Sequence, residues 1–128
     1  MSVIDDSDFL TNRTKQLAAV NELAHLQTRL IDLQAELLNR MQERRQVMQR
    51  ATEQDLVRQR QMGRASRTAA LQRARASEEV RDFDRSVSSL RERIRRLEVD
   101  VDRTRLSIQV AISTSERTIG LVGQRGAA

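Results

Sequence analysis

Apolar residues recur at alternating steps of three and four along the second half of the chain, and this spacing predicts a long helix. The repeat runs from Val80 to Ile108 and fills the a and d positions of successive heptads. Such a stripe cannot be buried by one helix alone, so it must pack against another helix. We call its members the second apolar row: Val80, Phe83, Val87, Leu90, Ile94, Leu97, Val101 and Ile108.

A similar repeat lies nearer the beginning of the chain and predicts a first long helix. A strict two-stranded coiled coil needs apolar residues only at a and d, but here further aliphatic residues lie beside the repeat. The wider stripe favours contact with two neighbouring helices, as in a bundle. The first apolar row is Leu23, Leu26, Leu30, Leu33 and Leu37, and the residues beside it are Leu17, Ala24, Ile31 and Leu38.

Between the two rows the sequence predicts a turn. Gly63 suits the end of one helix and Ser66 suits the N-cap of the next. Extended towards each other, the two heptad registers reach Ala51 and Ser66, which are 15 residues apart, one more than two heptads. A loop near Gly63 removes this mismatch, and so does a local stutter in a continuous helix.

These patterns predict an elongated all-α protein, a long helical hairpin or coiled coil. A reversal at Gly63 brings Leu23–Leu37 alongside roughly Ser89–Arg103, the two best apolar segments. The alternative is one continuous helix of about 110 residues in a coiled-coil oligomer. For the hairpin we expect a lead-in over 1–8, a coiled-coil region over 9–119 with helices 9–61 and 66–119 and a turn near 62–65, and a flexible tail over 120–128.

Composition narrows the class of protein. The chain has no Pro, Cys, Trp or Tyr and only two Phe, which suits slender helices better than a thick globular core. Without Cys there is no disulfide and no thiolate ligand. No apolar stretch approaches the roughly 18 to 20 residues of a membrane span, and no signal peptide is apparent. We therefore expect a soluble protein, in the cytoplasm or within a particle or assembly.

The positive charge is concentrated in the middle of the chain. Residues 40–75 carry a net charge of +7, against −3 for residues 1–39 and +1 for residues 76–128. One interpretation is contact with an anionic partner, and the other is a solvated helical face. An acidic protein surface is favoured over nucleic acid, because the segment has no stacking aromatics. The candidate contacts are Arg40, Arg44, Arg45, Arg58, Arg60, Arg64, Arg67, Arg73 and Arg75.

No pattern indicates an active site, a cofactor site or a metal site. The single histidine, His25, has no converging ligands in the sequence. We therefore predict a non-enzymatic structural or assembly protein that oligomerises with itself and docks onto other proteins of a larger complex. The alternative is a protein that binds nucleic acid or another anionic surface through its arginine-rich middle. In size and helical pattern the chain is similar to small coiled-coil stalk proteins of bacterial type III export machines, and equally to helical scaffold or virion components.

Overall fold

Every element of the described chain is a helix. The computed structural model describes the backbone of residues 6–126 and the side chains of residues 10–114 and 116–117. It contains α1 (Asp6–Gln61), α2 (Arg67–Ala76) and α3 (Glu78–Gly126). The prediction of an all-α helical hairpin is confirmed. The alternative of one continuous helix is wrong, because the chain turns between α1 and α2.

The turn is a Schellman motif centred on Gly63. The Gly63 N–H donates to the Arg60 carbonyl oxygen at 3.1 Å, and the Arg64 N–H donates to the Gln59 carbonyl oxygen at 2.8 Å. Gly63 has a φ of +76°, in the left-handed region that side chains with a Cβ rarely adopt. The motif thus satisfies carbonyl groups at the end of α1 and favours glycine at position 63.

Replacing Gly63 with Ala is expected to lower the free energy of unfolding by about 1–2 kcal/mol, the cost of a left-handed alanine. An added Cβ would meet no atom within 4 Å, so the loss comes from the backbone and not from a clash. Gly63→Asn is the control and is expected to lose less, since Asn tolerates this conformation. Urea unfolding followed by circular dichroism measures both variants. Equal stability of Gly63→Ala and the parent chain would contradict the explanation.

The helix predicted over 66–119 is in fact two helices that meet at Ser77. The Ser77 hydroxyl donates to the Ala74 carbonyl oxygen at 2.7 Å and accepts from the Val80 N–H at 3.4 Å. One side chain therefore serves the end of α2 and the start of α3. The break also changes the register, because α2 buries Ala70 and Ala74, whereas a continuous helix would direct Arg73 into the core.

The ends of the chain differ from the expected bounds. Helix α1 begins at Asp6, within the predicted lead-in, and residues 1–5 lie outside the described residues. The predicted flexible tail is helical in its backbone as far as Gly126, and residues 127–128 are likewise outside. Three glycines weaken a helix in this segment but do not forbid one, and no proline interrupts it.

The chain divides into two compact units. The central unit is Ile31–Arg95, and the terminal unit combines Met1–Leu30 with Arg96–Ala128. In the central unit, the last half of α1 packs against α2 and the first part of α3. Its buried residues are Leu33, Thr52, Gln59, Ala70, Ala74, Val80, Val87, Leu90 and Ile94.

The terminal unit pairs the first part of α1 with the last part of α3. The Gln16 side-chain amide donates to the Ala111 carbonyl oxygen at 3.5 Å, which places these two positions opposite each other. Among its described side chains only Leu97 and Val101 are buried. This unit therefore encloses much less of its apolar surface than the central unit does.

Candidate interaction surfaces

The apolar rows occupy the covered faces of the helices in the central unit. Two ion pairs mark the antiparallel register, since Arg44 Nε lies 2.6 Å from Asp84 Oδ1 and Arg73 Nη1 lies 3.1 Å from Asp55 Oδ1. In both pairs the residue numbers add to 128. The same register sets Leu37 against the turn of α3 that contains Leu90. Of the row members in this unit, Leu33, Val80, Val87, Leu90 and Ile94 are buried, and Leu37 and Phe83 are half-buried.

The same rows are less well covered in the terminal unit. Leu97 and Val101 of the second row are buried, but Ile108 is only half-buried. All three first-row leucines of this unit are half-buried: Leu23, Leu26 and Leu30. Two helices packed side by side share a single contact face, which explains the partial coverage.

Large aliphatic residues lie exposed outside the rows of the terminal unit. On α1 they are Leu10, Leu17 and Val20, at steps of seven and three, which we call the α1 apolar face. On α3 they are Ile112 and, at steps of seven and four, Val99, Leu106 and Val110, and we call these last three the α3 apolar face. Each face lies along one side of its helix, and Leu17 and Leu106 are 59% and 61% exposed.

The central unit also leaves apolar residues of α1 uncovered. Ile31 and Leu38, which the sequence placed beside the first apolar row, are both exposed. Ala24, in the terminal unit, is exposed as well. The residues that widen the stripe in the sequence therefore remain largely uncovered within one chain.

The region around the turn carries a high density of positive charge. Residues 56–77, which we call the basic segment, contain six arginines and no acidic residue. Arg73 reaches back to Asp55, Arg44 pairs with Asp84, and Arg40 pairs with Glu43 at 3.6 Å. Within the part of the chain that the structure describes, no carboxylate lies within ion-pair distance of the other candidate contacts: Arg45, Arg58, Arg60, Arg64, Arg67 and Arg75.

A buried polar cluster ties the end of α1 to α2. Asp55 Oδ2 accepts from the Gln59 side-chain amide at 2.6 Å, and Asp55 Oδ1 accepts from Arg73. Gln59 Oε1 accepts from the Ser66 N–H at the start of α2. Gln59 is 7% exposed and the Asp55 side chain 11%, so the two bonds of the Gln59 side chain are largely shielded from water. The Arg73 side chain is 61% exposed, so its bond to Asp55 is open to solvent. This polar cluster holds α2 in place relative to α1.

Sequence reasoning missed this cluster. Continued past Ala51 at steps of three and four, the register of the first row would place Gln54 and Arg58 on the covered face, yet both are exposed. The covered residues are instead Thr52, Asp55 and Gln59. Each lies one position after the residue expected from that register. The steps of three and four between Thr52, Asp55 and Gln59 were the available signal, but polar residues at those steps do not indicate burial.

A groove of 330 Å³ lies between α1 and α2 in the central unit. Its floor is apolar, with Met48, Leu56 and Leu71 half-buried, and its arginines are exposed. Helix α1 contributes Arg45, Met48, Gln49, Thr52, Glu53 and Leu56, and α2 contributes Arg67 and Leu71.

Among the described residues, no cluster of His, Cys, Asp or Glu is placed to hold a metal ion. Over the same residues, no helix has the combination of length and apolar character that crossing a membrane requires. His25 is exposed on α1.

Comparison with known proteins gives no relative from which a role can be transferred. The chain matches no protein-family model, no curated protein and no solved structure.

Proposed function

We propose that this chain is a non-enzymatic structural or assembly protein, which associates with itself by helix packing and docks within a larger complex. The observation that carries the proposal is the pair of apolar faces on the terminal unit. On α1 the apolar face lies beside a row that is only half-covered within the chain, and on α3 it lies on the side of the helix away from the second apolar row. A second copy of the chain supplies the same faces and covers them in return.

The energetics favour such an association. Burying one Leu or Val side chain contributes about 1.5–3 kcal/mol. Association costs on the order of 4–15 kcal/mol in translational and rotational freedom. In a two-fold symmetric dimer both copies contribute both faces, so the total gain is of the size needed to offset that cost. The product would be a helical bundle in which a second copy covers the outward apolar faces of α1 and α3.

Leu17→Asp combined with Leu106→Asp is expected to abolish this self-association. Both residues are exposed, so the double variant keeps its helices while two carboxylates occupy the contact. The control is Ala18→Asp combined with Ser107→Asp, which changes the charge equally at exposed positions of the same unit, each about 100° around its helix from the substituted leucine. Light scattering coupled to size-exclusion chromatography measures the mass against the 14.7 kDa chain.

The proposal predicts a multiple of the chain mass for the parent protein and for the control, and the chain mass for the Leu17/Leu106 variant. Circular dichroism must show the same helicity for all three. A parent protein that stays at the chain mass at high concentration would refute the proposal. So would a Leu17/Leu106 variant with the mass of the parent.

A second candidate function is binding to nucleic acid or another anionic surface, and the basic segment supports it. Six arginines without an acidic neighbour in the sequence give a strong local positive potential. The segment has no aromatic residue on which a base could stack. This candidate therefore rests on charge alone.

A further inference from the structure

We infer that the groove between α1 and α2 is a docking site for an acidic amphipathic helix of a partner protein. The inference rests on the proposed docking role and names the class of partner. Three properties of the groove support it: an apolar floor, arginines at its rim, and walls held in place by the polar cluster.

The floor of the groove suits aliphatic side chains. Met48, Leu56 and Leu71 line it and are half-buried, so each leaves part of its apolar surface open. Along α1 the lining runs from Arg45 to Leu56, which is about 16 Å at the helical rise of 1.5 Å per residue. That length corresponds to about three helical turns, enough to seat residues at i, i+3 or i+4, and i+7 of a bound helix.

The charges of the groove select for an acidic partner. Arg45 on α1 and Arg67 on α2 are both exposed, and neither has a carboxylate within ion-pair distance among the described residues. A guanidinium binds a carboxylate through two parallel hydrogen bonds. Glu53 is the one acidic residue in the lining. A helix with an apolar stripe flanked by carboxylates would therefore be complementary to both the apolar floor and the arginines of the groove.

The wall formed by α2 is fixed before any partner arrives. Arg67 is the first residue of α2, directly after the cap residue Ser66. The Ser66 hydroxyl accepts from the Ala69 N–H, and the Ser66 N–H donates to the buried side chain of Gln59. Arg67 and Leu71 belong to this anchored helix. Its backbone therefore loses little conformational entropy when a partner binds.

The same features favour a protein segment over nucleic acid. A phosphodiester backbone carries negative charge but has no aliphatic face to cover Met48, Leu56 and Leu71. No aromatic side chain lines the groove to stack on a base. An experiment must therefore distinguish binding of a protein helix in the groove from binding of nucleic acid.

The test uses fluorescence anisotropy with two labelled synthetic peptides of about 15 residues, long enough to form a helix. One contains Leu at i, i+3, i+4 and i+7 with Glu at the remaining exposed positions. The other has the same charge, with every Leu replaced by Ser. We expect the full-length protein to bind the Leu peptide at least about tenfold more tightly than the Ser peptide.

Arg45→Glu combined with Arg67→Glu is expected to weaken binding of the Leu peptide at least about tenfold. This variant should fold normally, because both positions are exposed and an acidic residue in the first turn of α2 suits the helix dipole. The matched control is Arg91→Glu combined with Arg93→Glu, which makes the same charge change at exposed positions of α3. Its affinity should stay within about twofold of the parent protein, because neither arginine lines the groove.

Further measurements separate this site from self-association. The Arg45/Arg67 variant should keep the mass of the parent protein in light scattering. The Leu17/Leu106 variant should still bind the Leu peptide, since its substitutions lie in the terminal unit. Loss of peptide binding in that variant would overturn the inference and leave the proposed self-association standing.

Two other results would also overturn it. Equal affinity for the Leu and Ser peptides would mean that the floor plays no part. Salt-sensitive binding of a DNA duplex, lost in the Arg45/Arg67 variant while the Leu peptide binds neither protein, would assign the groove to nucleic acid.

Discussion

Replacing Leu90 with Asp is expected to unfold the central unit and to prevent assembly. Leu90 is 4% exposed and lies in the middle of the second apolar row. Removing a buried leucine costs about 2–5 kcal/mol, and an unpaired carboxylate in the same place adds a further penalty. The free energy of unfolding of a whole domain is only about 5–15 kcal/mol, so this one change removes a large part of it. Circular dichroism and light scattering measure the loss of helicity and of mass.

Ser89→Asp is the control for the Leu90 variant. Ser89 is the preceding residue, it is exposed, and the substitution introduces the same charge. We expect a change within about 0.5 kcal/mol for a surface position of this kind. Leu97→Asp makes the equivalent change at a buried position of the terminal unit and should also prevent assembly. Unchanged helicity and mass in the Leu90 variant would show that the second apolar row does not hold the helices together.

Replacing Asp55 with Ala is expected to lower the free energy of unfolding by about 1–3 kcal/mol. The substitution removes the acceptor of the buried Gln59 amide at the end of α1. An unsatisfied amide cannot recover its hydrogen bond from water in this place without opening the contact between α1 and α2. Urea unfolding of the full chain measures the loss through the midpoint of the transition.

Arg73→Gln separates the two interactions that Asp55 makes. The Arg73 side chain is 61% exposed, so its ion pair with Asp55 is well screened and contributes less than about 1 kcal/mol. We therefore expect Arg73→Gln to be distinctly milder than Asp55→Ala. If the two variants lose the same stability, the ion pair and not the buried amide is the important contact.

The sequence allowed the second apolar row to be placed almost completely. Aliphatic residues repeat there without interruption, and a helix with one apolar stripe has one way to bury it. The turn at Gly63 was predictable for a related reason, because glycine followed by a capping serine is a local signal.

The break at Ser77 was less accessible to sequence reasoning. Residues 67–76 are rich in alanine and arginine and contain no helix breaker, so propensity favours continuity. The available signal was Ser77 followed by two acidic residues, a typical helix start. Its consequence is large, because the change of register buries Ala74 and leaves Arg73 free to reach Asp55.

The groove and the polar cluster depend on a shift of register that apolar patterning does not encode. The apolar pattern of α1 fades after Leu37, and the residues covered beyond it include Thr52, Asp55 and Gln59. Thr52 donates to the Met48 carbonyl oxygen of its own helix, whereas Asp55 and Gln59 also have partners in Arg73 of α2 and its cap residue Ser66. The sequence did not reveal α2 as a separate helix. Arg45 and Arg67 were both predicted contacts, but only the packed helices show that they line the same groove.

The separation in sequence between contacting residues differs greatly between the two units. Asp55 and Arg73 of the central unit are 18 residues apart, whereas Gln16 and Ala111 of the terminal unit are 95 apart. Closing the longer loop in an unfolded chain costs about 1.5 kcal/mol more in chain entropy. Once the central unit has formed, that loop is already closed. Pairing of the terminal helices then costs little further loop-closure entropy. The Gly63 turn therefore favours an order of folding that begins at the middle of the chain and ends at its termini.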